Sequence, residues 1–400
     1  MDDIDQLLTR GVDKIYPSKE ELEKVLRSGK KLKLYQGFDP TGTDLHIGHM
    51  IGLRKLSQWQ RLGHEVIFLI GDFTAMIGDP SGKTTARKML EKETVDQNSA
   101  SYIKQAGRIL EFNSDNPVKI LRNGDWLGKM PALEFLRIAG LLSYQQVIER
   151  DLFQKREKEG KDLYMNEFLY PIMQAYDSVY MNIDLEVGGS DQMFNMLMGR
   201  KLMRHMLKKD KFVITTPLLI DSEGKKIGKT EGNIMGLTDK PEVLYGKIMS
   251  LSDDVIVKAM EYLTDIPMEE IAEIELKMKH ENPIQFKKML AYEIVKQLNT
   301  EEDAKRAEES FKSVVQDKNL PEDIEELKIT NGQPLSKFII ENSLVESMGE
   351  WKRLIEQHGV SLNDQKIDNP FVNTSEIENN SILKIGKRKY ARIVKSGNSS

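Results

Sequence analysis

Two short polar segments contain the residue types that bind phosphate groups. Residues 40–49, PTGTDLHIGH, place His46 and His49 three positions apart around Gly48. Residues 222–232, SEGKKIGKTEG, hold three lysines and three glycines. Imidazole, ammonium and backbone N–H groups donate to phosphate oxygens, and glycine lets a nucleotide lie against the backbone. Each segment alone would also fit an exposed turn, and the histidine pair would fit half of a metal site.

The first segment lies between a predicted strand and a predicted helix. Residues 32–38 and 64–72 are rich in β-branched and aromatic residues and are bounded by turn residues, which predicts strands. Between them, apolar residues recur at helical spacing from about 44 to 62, and Gly63 ends the pattern. A strand–helix–strand unit predicts a parallel sheet that binds nucleotides at the helix N-terminus. We therefore expect both histidines on the first helical turn.

The remaining patterns divide the chain into domains. Strand character returns at 183–189 and 212–220 around a helix at 192–207, so a helical insertion is predicted to split the sheet. The predicted parts are a catalytic domain at 1–235 with the helical insertion at about 87–182, a helical domain at 236–325, a linker at 326–334 and a small α+β unit at 335–396.

The composition excludes several classes of protein. A chain of 400 residues, 39% hydrophobic and 30% charged, fits a globular protein with more than one domain. The absence of cysteine excludes disulfides and thiolate metal sites, and no segment is apolar enough for a signal or a membrane span, so we expect a cytoplasmic protein. The net charge of −5 argues against a nucleic-acid binder over the whole surface, but residues 384–395 hold six basic residues and no acidic one.

The two phosphate-binding segments together resemble the HIGH and KMSKS signatures of class I aminoacyl-tRNA synthetases, in the expected order. The second reads KIGKT over residues 226–230 instead of KMSKS. Lys226 and Lys229 match the two signature lysines and Thr230 matches the hydroxyl residue. KFGKT-like versions of this signature belong to the tyrosyl branch of the family.

Three further segments resemble the tyrosyl branch. They are YQGFDPT at 35–41, YPIMQAYD at 170–177 and VGGSDQ at 187–192. Where many relatives read SDQWGN, this chain reads SDQMFN, which keeps Asp191 and Gln192. The resemblance implies an α/β fold with a Rossmann-like parallel sheet and a helical insertion, followed by an all-α domain and a small α+β RNA-binding domain like that of ribosomal protein S4.

The resemblance also implies roles for individual residues. Tyr170, Gln174 and Asp177 recur at helical spacing, so they can converge, although such a stripe would also fit a helix that faces water. The implied tyrosine-binding residues are Tyr35 and Asp177 at the phenol hydroxyl, Asp79, Tyr170 and Gln174 at the ammonium group, and Gln192. The implied ATP-binding residues are Gly37, Asp39, Gly48, Lys83, Arg87, Asp191 and Lys229. The residues implied to stabilise the leaving pyrophosphate are Thr41, His46, His49, Lys226, Lys229 and Thr230.

The implied activity is that of a tyrosine–tRNA ligase, which uses ATP with Mg²⁺ as a substrate and needs no tightly bound cofactor and no metal site of its own. The implied partners are L-tyrosine, tRNA(Tyr) and a second copy of the chain, bound through the helical insertion. Residues 350–355 and 358–367 loosely match the S4 helix–turn–strand pattern. The RNA-binding candidates are Lys352, Arg353, Lys387, Arg388 and Lys389.

Three alternatives remain open at this point. A tryptophan–tRNA ligase shares the fold and both signatures, but Tyr35 and Asp177 suit a phenol. A non-catalytic synthetase-like RNA-binding protein would have lost phosphate contacts, yet His46 and Lys226 are present. A different nucleotidyltransferase of the same fold would lack the RNA-binding tail.

Overall fold

A computed structural model of the chain describes residues 2–80, 89–148, 151–224, 226–230, 233–313, 324–329, 332–363, 365–386 and 389–395. Within these residues, no helix is both long and apolar enough to cross a membrane. The chain forms two compact units. The first unit is Met1–Asp239 with Leu251–Thr300, and the second unit is Lys240–Ser250 with Glu301–Ser400.

The strands in chain order are β1 (Lys14–Tyr16), β2 (Lys33–Phe38), β3 (Glu65–Ile70), β4 (Lys119–Arg122), β5 (Leu185–Gly189), β6 (Phe212–Thr216), β7 (Lys229–Thr230), β8 (Asn233–Ile234), β9 (Glu325–Ile329), β10 (Val360–Leu362), β11 (Gln365–Lys366), β12 (Ser381–Ile385) and β13 (Lys389–Lys395).

The helices in chain order are α1 (Asp3–Leu7), α2 (Lys19–Arg27), α3 (Ile47–Arg61), α4 (Asp72–Ile77), α5 (Lys92–Ala106), α6 (Gly124–Leu127), α7 (Ala132–Ala139), α8 (Tyr144–Ile148), α9 (Asp151–Lys158), α10 (Met165–Met181), α11 (Met193–Leu207), α12 (Pro241–Ile248), α13 (Ile256–Leu263), α14 (Met268–Lys277), α15 (Ile284–Leu298), α16 (Glu301–Phe311), α17 (Leu335–Glu341) and α18 (Met348–Glu356). Short 3₁₀ turns lie at Ser190–Gln192, Asp253–Val255 and Thr374–Glu376.

The first unit is built on a six-stranded sheet with the order β1-β6-β5-β2-β3-β4. Neighbouring strands from β6 to β4 are parallel, and only the edge strand β1 pairs antiparallel, with β6. Starting from β2, the chain adds β3 and β4 on one side and then β5 and β6 on the other side. This is the doubly wound strand order of a Rossmann-like sheet. The predicted α/β fold is confirmed.

The core of this sheet forms because the buried positions of β2 and all positions of β3 after the first are apolar. Tyr35, Ile67 and Leu69 from these strands pack in one buried cluster with Ala175 of α10 and Met198 of α11. Helix α3 packs on β2, β3 and β5. The functional helices α3 and α10 are thus fixed by the same sheet.

One strand was not expected. Residues 87–182 were predicted to be mostly helical, but β4 lies within them and pairs parallel with β3. This strand has four residues, lies at the edge of the sheet and begins and ends with a basic residue. Such a short segment carries no clear period-two pattern.

The second unit contains a five-stranded sheet with the order β11-β10-β12-β13-β9. Strand β9 covers part of the predicted linker at 326–334 and pairs parallel with β13. Trp351 of α18 is fully buried in the core of this unit, together with Phe338 of α17. The α+β character predicted for the C-terminal part is confirmed. The helices predicted at 236–325 are divided, with α13, α14 and α15 in the first unit and α12 and α16 in the second.

Candidate active site

Polar residues follow the carboxyl ends of adjacent parallel strands in the first unit. Asp39 follows β2, Thr74 lies in the helix after β3, Asn123 follows β4, and Asp191 follows β5. Because these strand ends meet at one edge of the sheet, the side chains lie together where a doubly wound sheet binds its ligands.

Hydrogen bonds join these residues to helix α10. The Asp39 carboxylate accepts from the Tyr170 hydroxyl at 2.8 Å and from the Thr74 hydroxyl at 2.8 Å. Thr74 in turn accepts from the amide of Asn123 at 2.9 Å. Burial, followed by the neighbouring carboxylates of Asp39 and Asp79, raises the pKa of Tyr170 well above its usual range. The Tyr170 phenol therefore stays protonated and acts as a donor.

Asp177 is a carboxyl group with almost no contact with water, since the residue is 2% exposed. One of its oxygens accepts from the Trp126 indole N–H at 2.8 Å and the other from the Asn123 amide at 3.2 Å. Burial raises the pKa of Asp177 well above its usual range, while these two hydrogen bonds act to lower it. The two donors thus favour the charged form at a place where burial opposes it.

Tyr35 lies beside this carboxyl group and is 1% exposed. Its hydroxyl is 2.9 Å from the Ser178 hydroxyl. Burial, followed by the carboxylates of Glu186 and Asp177, raises the pKa of Tyr35 well above its usual range. A protonated phenol therefore lies within the electrostatic influence of a buried carboxyl group, and this pair is the one expected at a substrate hydroxyl.

A second chain of hydrogen bonds contains the residues predicted to hold an ammonium group. Asp79 accepts from Gln192 at 2.7 Å. Asn195 donates to the side-chain oxygens of both Gln192, at 3.0 Å, and Gln174, at 2.9 Å. Asp79, Gln192 and Gln174 are thus held in one network by a residue of helix α11.

The N-terminus of α3 is capped by the two histidines. His46 is the N-cap and has an extended backbone, so it precedes the helix instead of lying on its first turn as predicted. Its Nδ1 accepts from the Gly48 N–H at 3.1 Å, and His49 Nδ1 accepts from the His46 N–H at 3.2 Å. An acceptor Nδ1 places the ring proton on Nε2, the form in which each neutral imidazole can donate to a phosphate oxygen.

The basic segment reaches this helix N-terminus. Gly228 has a φ of +102°, and a Cβ built on it would lie 3.2 Å from both Gly48 N and His46 Nδ1. A Cβ on Gly48 would lie 3.0 Å from the His46 ring. Lys226 forms an ion pair with Asp191 at 2.8 Å. The two signature segments, far apart in sequence, are therefore adjacent in space.

A sequence model of the tRNA synthetases class I (W and Y) matches residues 27–316 of the chain. The chain belongs to this family. The family predicted from the two signatures is thereby confirmed, and the synthetase fold accounts for the position of both signatures at one edge of the sheet.

Curated relatives match this synthetase over nearly its whole length. A tyrosine–tRNA ligase of Thermotoga maritima is 41% identical over 391 residues, which is 97% of this chain and 96% of the relative. One of Dehalococcoides mccartyi is 39% identical over 396 residues, covering 98% of each chain. Among solved structures, a C-terminally truncated mitochondrial tyrosyl-tRNA synthetase of Aspergillus nidulans has a TM-score of 0.65 and 26% identity, over 78% of this chain and 94% of that one.

For several predicted site residues the structure gives no side-chain contact with this network. Lys83, Arg87, Lys387 and Arg388 lie outside the described residues, and for Lys229 and Thr230 only the backbone, strand β7, is described. Gly37 is an exposed residue of β2, and the Thr41 N–H donates to the Asp39 carbonyl at 2.7 Å.

Three of the predicted RNA-binding residues of the synthetase are among the described residues, and they lie in the second unit. Lys352 and Arg353 are exposed, and the Lys352 ammonium lies 5.6 Å from the ring centre of Phe371. Lys389 instead donates to the Leu344 carbonyl at 2.7 Å, which stabilises the fold.

Sequence reasoning missed the residues that support the predicted ones. Asn123 and Trp126 hold Asp177, while Ser178 contacts Tyr35 and Asn195 contacts Gln174. A signal was available for the first two, because residues 123–126 read NGDW directly after β4. Recognition of that short strand would have placed this polar turn at the ligand-binding edge of the sheet.

Proposed function

We propose that the chain is a tyrosine–tRNA ligase. It activates L-tyrosine with ATP to form tyrosyl-adenylate and pyrophosphate, and it then transfers the tyrosyl group to the 3′ end of tRNA(Tyr). The observation that supports this substrate is the presence of two buried groups, the Tyr35 hydroxyl and the Asp177 carboxyl, close enough that the charge of Asp177 helps to raise the pKa of Tyr35.

This pair explains selection of tyrosine. A substrate phenol donates to the Asp177 carboxylate and accepts from the Tyr35 hydroxyl. Phenylalanine in the same position leaves two buried polar groups without that partner, which costs roughly 1–3 kcal/mol for each group and more for a charged one. Tryptophan offers an indole N–H, which donates but does not accept.

The ammonium group of tyrosine binds the acceptor atoms at the other end. Asp79 and the oxygens of Tyr170 and Gln174 are proposed to hold it, and Gln192 orients the substrate through Asp79. Asp39, Gly37, Gly48 and Asp191 are proposed to bind ATP, together with Lys83 and Arg87.

Activation needs positioning more than proton transfer. The tyrosine carboxylate is already ionised at neutral pH, and it attacks the α-phosphorus of ATP as pyrophosphate leaves. The charge that develops on the pyrophosphate is proposed to be stabilised by Thr41, His46, His49, Lys226, Lys229 and Thr230, and Mg²⁺ enters with ATP on its phosphate oxygens.

Two conformational details support this assignment. The His46 and His49 rings are held with Nδ1 as acceptor, which makes Nε2 the donor atom. Lys226 is paired with Asp191, so the carboxylate proposed to bind the ribose and a lysine proposed to bind phosphate are neighbours.

The second step is transfer to RNA. The terminal ribose hydroxyl of the tRNA attacks the mixed anhydride, with adenylate as the leaving group, so no covalent enzyme intermediate is needed. Lys352 and Arg353, with Lys387, Arg388 and Lys389, are proposed to contact phosphates of tRNA(Tyr).

The chain is also proposed to act as a homodimer. The insertion exposes a group of large apolar side chains on helices that pack together, since α7 and α8 both contact α10. Leu133 is 60% exposed, Leu136 65%, Tyr144 60% and Tyr180 55%. Large exposed apolar groups on neighbouring helices are typical of a protein interface.

The experiment that tests the activity is ATP–pyrophosphate exchange with tyrosine, phenylalanine or tryptophan, without tRNA. Exchange with tyrosine alone supports the proposal. Exchange with tryptophan reassigns the substrate. No exchange with any of the three contradicts the enzyme assignment and favours a non-catalytic RNA-binding protein.

A further inference from the structure

A fully buried ion pair lies directly behind the proposed tyrosine pocket. Lys211, directly before β6, pairs with the Glu186 carboxylate of β5, and its ammonium also donates to the Ser178 hydroxyl at 2.6 Å. Lys211 is 1% exposed, Glu186 2% and Ser178 0%. A buried ion pair contributes little to stability, because the attraction between the charges is offset by the loss of their hydration. Its contacts with pocket residues suggest another role.

The first of these contacts is at the hydroxyl end of the pocket. Lys211 has only donors, so Ser178 must accept from it. The single Ser178 proton has two possible acceptors, Glu186 at 3.3 Å and Tyr35 at 2.9 Å. The Glu186 oxygen concerned already accepts from Lys211, and the contact with Tyr35 is the shorter one, so we assign the Ser178 proton to Tyr35. The Tyr35 proton is then turned away from Ser178 and is available to a substrate phenol oxygen.

The second contact is at the ammonium end. The Glu186 carboxylate has only acceptors, so Gln174 must present its NH₂ group to Glu186, at 3.3 Å. This orientation directs the Gln174 oxygen to the opposite side, where it accepts from Asn195 at 2.9 Å. A substrate ammonium needs an acceptor, and the side-chain oxygen of Gln174 is that acceptor.

We propose that the Glu186–Lys211 ion pair is a positioning pair that sets the hydrogen-bond polarity at both ends of the tyrosine pocket. Through Ser178 it makes Tyr35 a donor to the substrate hydroxyl. Through Gln174 it presents an oxygen to the substrate ammonium. Neither charged residue touches the substrate. This inference rests on the proposed function, because it takes tyrosine as the ligand.

The test compares equilibrium binding of L-tyrosine and L-phenylalanine to the full chain by calorimetry. Lys211→Met keeps the length of the side chain and removes its charge. It acts at the hydroxyl end, so it should weaken tyrosine binding by about tenfold, as expected for the loss of one hydrogen bond, and phenylalanine binding by less than about twofold. Glu186→Gln disturbs both ends and should weaken both ligands.

Lys55→Met is the matched control. Lys55 is also a buried lysine, 2% exposed, and its ammonium donates to the carbonyls of Leu7 and Arg10 and to Gln58. Removal of this charge should lower the melting temperature and leave the ratio of the two dissociation constants unchanged. A general effect of removing a buried charge is thereby separated from an effect on Tyr35.

A second variant covers the case in which Lys211→Met does not fold. Ser178→Ala leaves the ion pair intact and removes only the hydroxyl that links Lys211 to Tyr35, so it should also weaken tyrosine binding selectively. The inference is overturned if Ser178→Ala and any folded Lys211→Met weaken both ligands equally or neither. If the wild-type chain itself does not prefer tyrosine, the proposed function fails; if it does and the variants keep that preference, only the positioning role fails.

Discussion

Asp177 illustrates how single contacts define the pocket. Each of its oxygens accepts one N–H, from Trp126 or Asn123, and each keeps a lone pair for another donor. The donors hold the carboxyl group in place and favour its charged form. Its usefulness as an acceptor for a phenol therefore depends on residues that do not reach the substrate.

Substitution of Trp126 by phenylalanine tests this dependence. Trp126→Phe removes the indole donor and keeps most of the ring, so tyrosine binding should weaken by roughly 1.5–3 kcal/mol, about ten- to a hundredfold in the dissociation constant. Equilibrium binding of tyrosine measures the change.

The chain provides a matched control for this variant. Trp59 is also buried, but its indole N–H has no hydrogen-bond partner among the residues the structure describes. Trp59→Phe should leave tyrosine affinity within about twofold, since no hydrogen bond is lost. Equal losses in both variants would contradict the role assigned to Trp126.

At this scale the sequence was informative about some residues and silent about others. The spacing of Tyr170, Gln174 and Asp177 on α10 was visible, because a helix brings such positions to one face. Trp126 lies 51 residues from Asp177 along the chain. Contacts over that distance are produced by tertiary folding, and no local pattern encodes them.

At the scale of elements, the N-terminus of α3 combines stability with chemistry. His46 and His49 form a reciprocal cap, each with its Nδ1 as acceptor. The same contacts fix the direction of each ring. A residue that caps equally well but lacks the second ring nitrogen should therefore separate the two roles.

Asparagine is such a residue, because it is a favoured N-cap. His46→Asn should unfold at nearly the wild-type denaturant concentration but lower the rate of ATP–pyrophosphate exchange by about 10²–10³, the effect of one lost transition-state donor. His46→Ala should show a similar loss in rate and also lose about 1 kcal/mol of stability. Wild-type exchange by His46→Asn would contradict the assignment of His46 to the pyrophosphate.

The elements themselves were predicted where the pattern was long and regular. Strands β2 and β3 and helix α11 lie close to their predicted positions, whereas α3 begins at Ile47, later than the expected start near 44. Residues 44 and 45 carry no signal against a helix, and the boundary depends on the His46 cap, which only the folded backbone reveals.

At the scale of the whole molecule, the two units are not consecutive along the chain. Helix α12 comes before α13, α14 and α15 in sequence but packs with α16 in the second unit. The sequence pattern gave no sign of this arrangement, since residues 240–316 have one continuous helical pattern. Strand β9 was missed for a similar reason, because its pairing partner β13 follows more than fifty residues later.

The proposed dimer gives the prediction at this scale. Leu133→Asp combined with Leu136→Asp places two charges on the exposed face of α7, and desolvating them in an interface is unfavourable. The variant should sediment as a single 45.9 kDa chain, while the wild type sediments as a dimer. Leu276→Asp is the control, because Leu276 is 62% exposed on α14, outside the insertion. A monomeric wild type, or dissociation by Leu276→Asp, would be inconsistent with this interface.

The position of Trp126 beside Asp177 has one more consequence, which is optical. The chain has three tryptophans. Trp59 lies in the core of the first unit and Trp351 in the core of the second, whereas Trp126 bonds to Asp177 and stacks on Tyr180 with ring centres 4.5 Å apart. A ligand that reaches Asp177 changes the polarity around one indole and leaves the other two unchanged. Intrinsic fluorescence therefore reports occupancy of the pocket without a label. In a variant that keeps Trp126 as its one tryptophan, the whole tryptophan emission would follow substrate binding.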